Sequence, residues 1–477
     1  MLKRLHLPIF SVVLLCAAIT FAFDPGHMDA DALEMLRLMR SGQYRDWYPL
    51  LLPLLLKISI ALRIGPVAVL ALQVFAIGLS TYAILAFFST PLIASIGCYC
   101  VLLCPAVLGY LGAITSHAIL TASLLCGFAS LIYLTKPMPD KQRIGLFFVS
   151  FAALSISSVA RVNALTFTVL GFCIWVLLLA KQFQRPSVAR LFHSGKIVRL
   201  VLISIAGCTI ALTATALGNN FLSFLLHPIR TGPVQGLVLY DVVTISLRAN
   251  RLFVDRQHFP SQNLDDLRRI YVKNNPDPLL FRGDPKKRLQ VILTGDQSEV
   301  WRAWRGCVAM YPGYYVTERW QLLRGLLGLD FRVPPAVPYH PGIDANSLGY
   351  YIVHPAADAF VVSYLKDFEN TLVDRPFVYL ILLLLAVTAI VKLPYQLGDV
   401  RLILFAFAAG NILFVAGHFV ATPSTLLRYL WPSIVSSMVL CAATAAAYVS
   451  LALRRSVPAK AAIAPLPGRS TPVADAS

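Results

Sequence analysis

Over much of this chain the hydrophobic positions follow neither a helical nor a strand period; they run together. Stretches that are apolar on all sides recur at 7–23, 66–88, 91–111, 116–135, 144–160, 164–180, 199–217, 376–391, 402–421 and 430–453. A helix that is hydrophobic all round has to be covered by protein or lipid, and about 20 such residues cross the roughly 30 Å of a bilayer's hydrocarbon. The pattern predicts an all-α polytopic membrane protein with about ten transmembrane helices. Residues 47–65, WYPLLLPLLLKISIALRIG, are apolar too, but Pro49, Pro53, Lys57 and Arg63 interrupt them. They read as a helix lying in the membrane interface, its two cations snorkelling to water.

Between 218 and 375 the pattern changes. Charged runs such as DRQHFPSQNLDDLRRIYVKNNPDP and GDPKKRL alternate with aromatic clusters, and Trp301, Trp304 and Trp320 can build a core. This is a mostly helical extracytoplasmic module inserted before the last three helices, with helical signals in LDDLRRIYV and in the long run from Glu299 to Leu329. The chain thus divides into an N-terminal transmembrane domain 1–217, the module 218–375, C-terminal helices 376–453, and a tail 454–477. Rich in Ala, Pro and Ser, the tail is expected to be a disordered cytoplasmic segment.

Composition agrees with a membrane protein: 57% of the 477 residues are hydrophobic, 13% are charged and the mean hydropathy is +0.70. The net charge of +18 raises the question of nucleic acid. No basic stripe with interleaved aromatics is present, so no nucleic-acid partner is expected. Basic residues instead collect at Lys3 and Arg4, 136–143, 181–199, 392–401 and Arg454–Arg455, which fall on one side of the membrane under this count. By the positive-inside rule that side is cytoplasmic, and both termini lie there. The opposite side, periplasmic in a bacterium with the chain in the inner membrane, receives 24–46, Arg161, the module and 421–428. The first apolar run is long for a signal peptide and is read as an uncleaved helix. All of the nine cysteines except Cys307 lie in apolar stretches, as packing residues rather than disulfides or metal ligands. No phosphate-binding loop, nucleophile elbow or His-Glu-x-x-His is found.

The candidate chemistry sits where the first apolar run ends. FDPGHMDADALEML, residues 21–34, places Asp24, Asp29, Asp31 and Glu34 at the membrane boundary of a chain poor in acid. Asp29 or Asp31 can cap a helix over DADALEMLRLMR. A partly desolvated carboxylate there is also suited to take a proton from a hydroxyl, or to hold a divalent cation beside a phosphate. His27 reads as a plain loop histidine.

An acid-bearing first outer loop followed by GQYRDWYP, residues 42–49, and an interfacial helix resembles the GT-C class of integral-membrane glycosyltransferases, users of polyprenyl-phosphate sugars related to protein mannosyltransferases and aminoarabinose transferases. Tyr48, Pro49 and Leu50 stand where many members carry His-Pro-Pro. The resemblance continues in SVARVNAL (158–165), in LLRYLWPSI (426–434) and, more loosely, in YDVVTISLR (240–248) and WRAWRGCVAMYPGYYVTERW (301–320). It implies a GT-C-like fold and an inverting transfer from a lipid-linked donor to a glycan, lipid or protein acceptor. Asp29 or Asp31 would be the base, with Asp29 the better placed by its 13-residue distance from Gly42. Asp24 would be its partner, and Asp24 with Asp29 would hold any Mg or Mn ion. Arg161 and Arg428 would neutralise the donor phosphate, with Glu34, Tyr48 and Arg319 also on the substrates, and Asp241, Tyr315 and Arg319 facing the acceptor.

Two other functions fit the pattern. A polysaccharide polymerase or ligase would rely on arginines of 218–375 and dispense with the first-loop acids. A transporter or flippase would carry ionisable or Gly/Pro-broken positions near mid-membrane and often repeated halves, whereas these spans are nearly free of Asp, Glu, Lys and Arg and show no repeat.

Overall fold

The computed structural model describes residues 3–182, 196–232, 234–281, 284–290, 298–331, 339–394, 397–422 and 424–456. Among them the chain is all helical, with isolated bridges in place of strands. Of the expected tail 454–477, residues 454–456 continue the last helix and the rest lies outside the described residues, as does much of the 181–199 loop.

The N-terminal half contains α1 (Lys3–Ala22), α2 (Ala30–Ser41), α3 (Leu51–Ala61), α4 (Val67–Phe88), α5 (Pro91–Leu102), α6 (Pro105–Leu111), α7 (Ser116–Tyr133), α8 (Asp140–Ala160), α9 (Leu165–Gln182) and α10 (Lys196–Leu226). The region between spans holds α11 (Val234–Arg248), α12 (Leu264–Ile270), α13 (Asp277–Phe281), α14 (Ser298–Met310), α15 (Pro312–Leu326) and α16 (Pro355–Lys366). The chain returns to the bundle with α17 (Pro376–Val391), α18 (Gly398–Ala421) and α19 (Trp431–Ser456).

Among the described residues seven helices are long and apolar enough to cross a membrane, or eight if α5 and α6, bent by 74° at their break, count as one span. The remaining two of the ten expected stretches are present as the shorter apolar helices Leu7–Ala22 and Pro376–Val391. The protein is therefore a polytopic, multi-pass membrane protein with a large helical region between its spans. Helix α10 runs on to Leu226, past the expected boundary at 217, and is the least buried of the seven. Residues 47–65 form only the 11-residue α3, too short to span at about 1.5 Å per residue.

The bundle core is continuous across α1–α10 and α16–α19; Phe128 stacks on Phe407, and buried Trp431 donates its indole N–H to the Val107 carbonyl at 3.1 Å. The long helical run foreseen from Glu299 breaks at Tyr311, because Pro312 has no N–H to continue a helix and is well suited to start one. Helices α11, α14 and α15 pack around their own core of Val242, Leu279, Val300 and Leu322.

The segment GQYRDWYP connects that region to the bundle. Gly42 ends α2 in the left-handed region at φ 71°. Beyond it Ile229 N–H donates to Tyr44 O at 2.8 Å, Asp46 N–H donates to Ile229 O at 3.2 Å, and the Asp46 carboxylate accepts from both the N–H (2.5 Å) and hydroxyl (2.6 Å) of Thr231. Two residues of the motif, Tyr44 and Asp46, thus hold the point where the chain leaves α10.

Candidate functional site

Asp29 caps α2: its Oδ1 accepts from Ala32 N–H at 2.9 Å, one of the orphan donors of the first turn. Its Oδ2 meets the Arg428 guanidinium, whose Nη2 also donates to Asp31 Oδ2 at 2.8 Å. Arg428 lies on the short turn Leu427–Tyr429 before α19, so the two ends of the sequence close on one another here. Burial works against the arginine's charge, yet Tyr429, Asp29 and Asp31 outweigh it and hold Arg428 above its usual range. Both Asp29 oxygens are engaged, whereas Asp31 Oδ1 has no hydrogen bond among the described residues.

The opposite wall is Arg161. It occupies an extended position (φ −157°) between α8 and α9, where the helix breaks. Its Nη1 donates to His117 Nε2 at 2.7 Å and to Ser116 Oγ at 3.2 Å, at the start of α7, and its guanidinium lies 5.6 Å from the Tyr429 ring centroid. Arginine only donates, so His117 accepts through Nε2 and carries its proton on Nδ1. Burial pulls Arg161 down to about 10, still charged at neutral pH. Among the described residues it has no carboxylate in salt-bridge contact.

These groups line one cavity of about 140 Å³, closed on its other sides by Trp47, Tyr48 and Ile114. Burial first, and then the charges of Asp31, Glu34 and Asp29, raise the Tyr48 phenol, which stays protonated as a donor. Two carboxylates and two guanidiniums balance in formal charge, but not evenly in space. Arg428 is already shared by both acids, whereas among the described residues Arg161 has no carboxylate in salt-bridge contact and Asp31 Oδ1 has no hydrogen bond. The volume is below the roughly 300–1,000 Å³ of ordinary small-molecule sites. With Arg161 and Arg428 in its lining it suits a small anionic group.

Five of the residues singled out in the sequence therefore meet: Asp29, Asp31, Tyr48, Arg161 and Arg428. The others are elsewhere. Asp24 faces His354, 3.8 Å away, and Glu34 pairs with Arg37 at 2.8 Å one turn along α2. Arg319 is fully buried between Asp241 Oδ2 (2.5 Å) and the Thr422 carbonyl (2.8 Å), with Tyr315 against its guanidinium. Trp304 donates to the same Asp241 oxygen at 3.0 Å, so this cluster is a buried tie between α11, α14, α15 and the end of α18. Asp24 and Asp29, expected to share a cation, are held by different partners, and among the described residues no group of three or more His, Cys, Asp or Glu is placed to hold a metal.

Sequence reasoning missed Ser116, His117, Tyr429 and Trp47 as site residues. One signal was available: Thr115, Ser116 and His117 put three polar side chains at the mouth of an otherwise apolar span. His27 was also more than a loop residue. It is fully buried and its Nε2 meets Asp358 Oδ1 at 2.6 Å. Around it residues 27 and 28 are held between two other segments, by His27 N–H to Gly112 O (2.9 Å), Ile114 N–H to His27 O (3.0 Å), Met28 N–H to Gly342 O (3.1 Å) and Asp344 N–H to Met28 O (3.0 Å). The acids two and four residues on thus start from a fixed platform.

Compared with protein-family models, curated proteins and solved structures, the chain matches none.

Proposed function

We propose that the protein is a membrane glycosyltransferase of the GT-C type, with ten spans, which moves a sugar from a polyprenyl-phosphate donor to an acceptor hydroxyl at the extracytoplasmic face of a bacterial inner membrane. The observation that carries this reading is the cavity at the end of the spans, where the Asp31 carboxylate and the Arg161 guanidinium, which among the described residues has no carboxylate in salt-bridge contact, line the same small space. Inverting glycosyl transfer needs these two groups. Asp31 takes the proton of the acceptor hydroxyl as its oxygen bonds to the anomeric carbon, and the bond from that carbon to the phosphate oxygen breaks on the opposite face. The departing polyprenyl phosphate keeps the electron pair, and Arg161 meets the charge that develops on it. Asp29 orients Arg428 and caps α2, and Arg428 in turn holds Asp31. An EDTA arm of the transfer assay tests whether a divalent cation comes in with the donor.

The roles differ from the order suggested by spacing, which favoured Asp29 as base. Both oxygens of Asp29 are already bonded, so Asp31 is the better proton acceptor. The test is complementation of a deletion strain with Asp31→Asn and Arg161→Gln, membrane abundance checked by blotting and envelope glycans profiled by mass spectrometry. Loss of one defined glycan mass at normal abundance supports the reading and names the sugar. A wild-type profile from both variants removes it.

A further inference from the structure

Helix α16 and the residues leading into it are out of keeping with a water-facing surface. Phe360 is 77% exposed, Tyr351 73% and Val353 47%. They continue an apolar surface that includes Phe21 (55% exposed) at the end of α1 and Leu14 (53%) further along that helix. The helix is not loosely attached. Its inner face carries Asp358, bonded to buried His27, and fully buried Leu365. Tyr364 donates its hydroxyl to the Leu103 carbonyl at 2.9 Å. These contacts lock the rotation of α16, so Phe360, about 200° around the helix from Asp358 at 100° per residue, cannot turn inward.

The depth of these contacts is the decisive point. Leu103 is at the break between α5 and α6, and α5 has 12 residues, about 18 Å of rise. Helix α17 has 16 residues, about 24 Å, and at its start the Tyr379 hydroxyl reaches Cys104 Sγ at 3.4 Å. Both neighbours therefore stop short of the roughly 30 Å hydrocarbon layer, on the same side and at the same level. Helix α16 packs against α1 and α6 and fills the layer that they leave.

We infer that α16 and the residues 351–354 leading into it form an interfacial segment seated in the bilayer, with Phe360, Val353 and Tyr351 among the acyl chains of the leaflet at the acid-loop end of the bundle. This segment belongs to the membrane surface, and not to the water-exposed part of the region between spans. The inference does not depend on the enzymatic reading, because the partner is the bulk lipid and the contact is structural.

The test uses the full chain in native membranes, with the photoreactive residue p-benzoylphenylalanine placed singly at Phe360 and at Val353. Leu14 on α1 serves as the lipid-facing reference, and Val316 on α15, 52% exposed, as the water-facing one. After illumination, mass spectrometry separates phospholipid adducts from protein cross-links. Lipid adducts at 360 and 353 in yields within about twofold of position 14, with none at 316, are the expected result. Unlabelled or protein-linked 360 and 353 beside a lipid-labelled 14 would overturn the inference. Equal lipid labelling at 316 would do so too, since the helix would then be no different from the rest of the region. Should one variant fail to insert, the other carries the test.

Discussion

Asp29 and Asp31 share one arginine but are not equivalent, and their variants should separate stability from turnover. The Asp29 and Arg428 side chains are 20% and 19% exposed, whereas Asp31 is 43% exposed. A charge-assisted hydrogen bond in partly buried surroundings contributes about 1.5–3 kcal/mol, and an exposed ion pair about 0.2–1 kcal/mol. Asp29→Asn keeps a side chain that caps as well as aspartate does, so its cost is the ion pair alone, about 2 kcal/mol. Asp31→Asn should cost less than about 1 kcal/mol. Arg428→Ala leaves two carboxylates facing one another without a counter-charge and should cost the most, about 3–5 kcal/mol. Turnover should follow a different order. Removing a general base lowers rate by about 10²–10⁴, so Asp31→Asn should be folded and inactive, and Asp29→Asn less stable and more active. The assay pairs thermal unfolding in nanodiscs with sugar transfer from a lipid-linked donor. Full turnover in Asp31→Asn, or an inactive Asp29→Asn of unchanged stability, would refute the division of roles.

Arg161→Gln removes the charge opposite Asp31 and should lower transfer by about 30-fold or more, with Arg161→Lys recovering part of it; donor titrations read the effect. A Cβ at Gly236 would lie 3.1 Å from Trp47 Cη2. Gly236→Val should therefore push the indole toward the cavity and depress activity more than stability, and Trp47→Phe should relieve it in the double variant, as initial rates will show. Gly112→Ala places a methyl 2.4 Å from the Phe23 ring beside the bonds that hold His27, and should lower thermal stability by about 1–3 kcal/mol. Burial raises the Asp241 carboxyl above its ordinary value of about 4, despite Arg319 beside it. A raised acid favours the folded state most below its unfolded pKa and loses that contribution as pH rises through the folded value. The stability of the native chain relative to Asp241→Asn should accordingly fall as pH rises from about 4 toward neutral, as unfolding in nanodiscs at several pH values will measure.

Much of the architecture was legible because lipid imposes one simple condition: each crossing segment must be apolar on all sides and satisfy its own backbone. Seven stretches from 66–88 to 430–453 accordingly became helices that meet the length and polarity of a span. Helix α17, apolar throughout but only 16 residues long, shows that composition gives the apolar character of a segment more directly than its length. The break at Tyr311 and the cap at Asp29 were likewise local, set by Pro312 and by one side chain's reach to its own helix.

Partnership was not legible. Spacing favoured Asp29 over Asp31, and it is the arrival of Arg428, 397 residues after Asp31, that engages both oxygens of Asp29 and one of Asp31, while Asp24 faces His354 and Glu34 pairs with Arg37. The same holds for His27, whose partner Asp358 lies at a separation of 331 residues, and for Arg319, which the resemblance places on the substrates and whose guanidinium packs against Asp241. Hydrophobicity and capping act within a few turns and are written in the order of residues. Ion pairing and shared cavities depend on distances across the folded bundle, which only the tertiary structure decides.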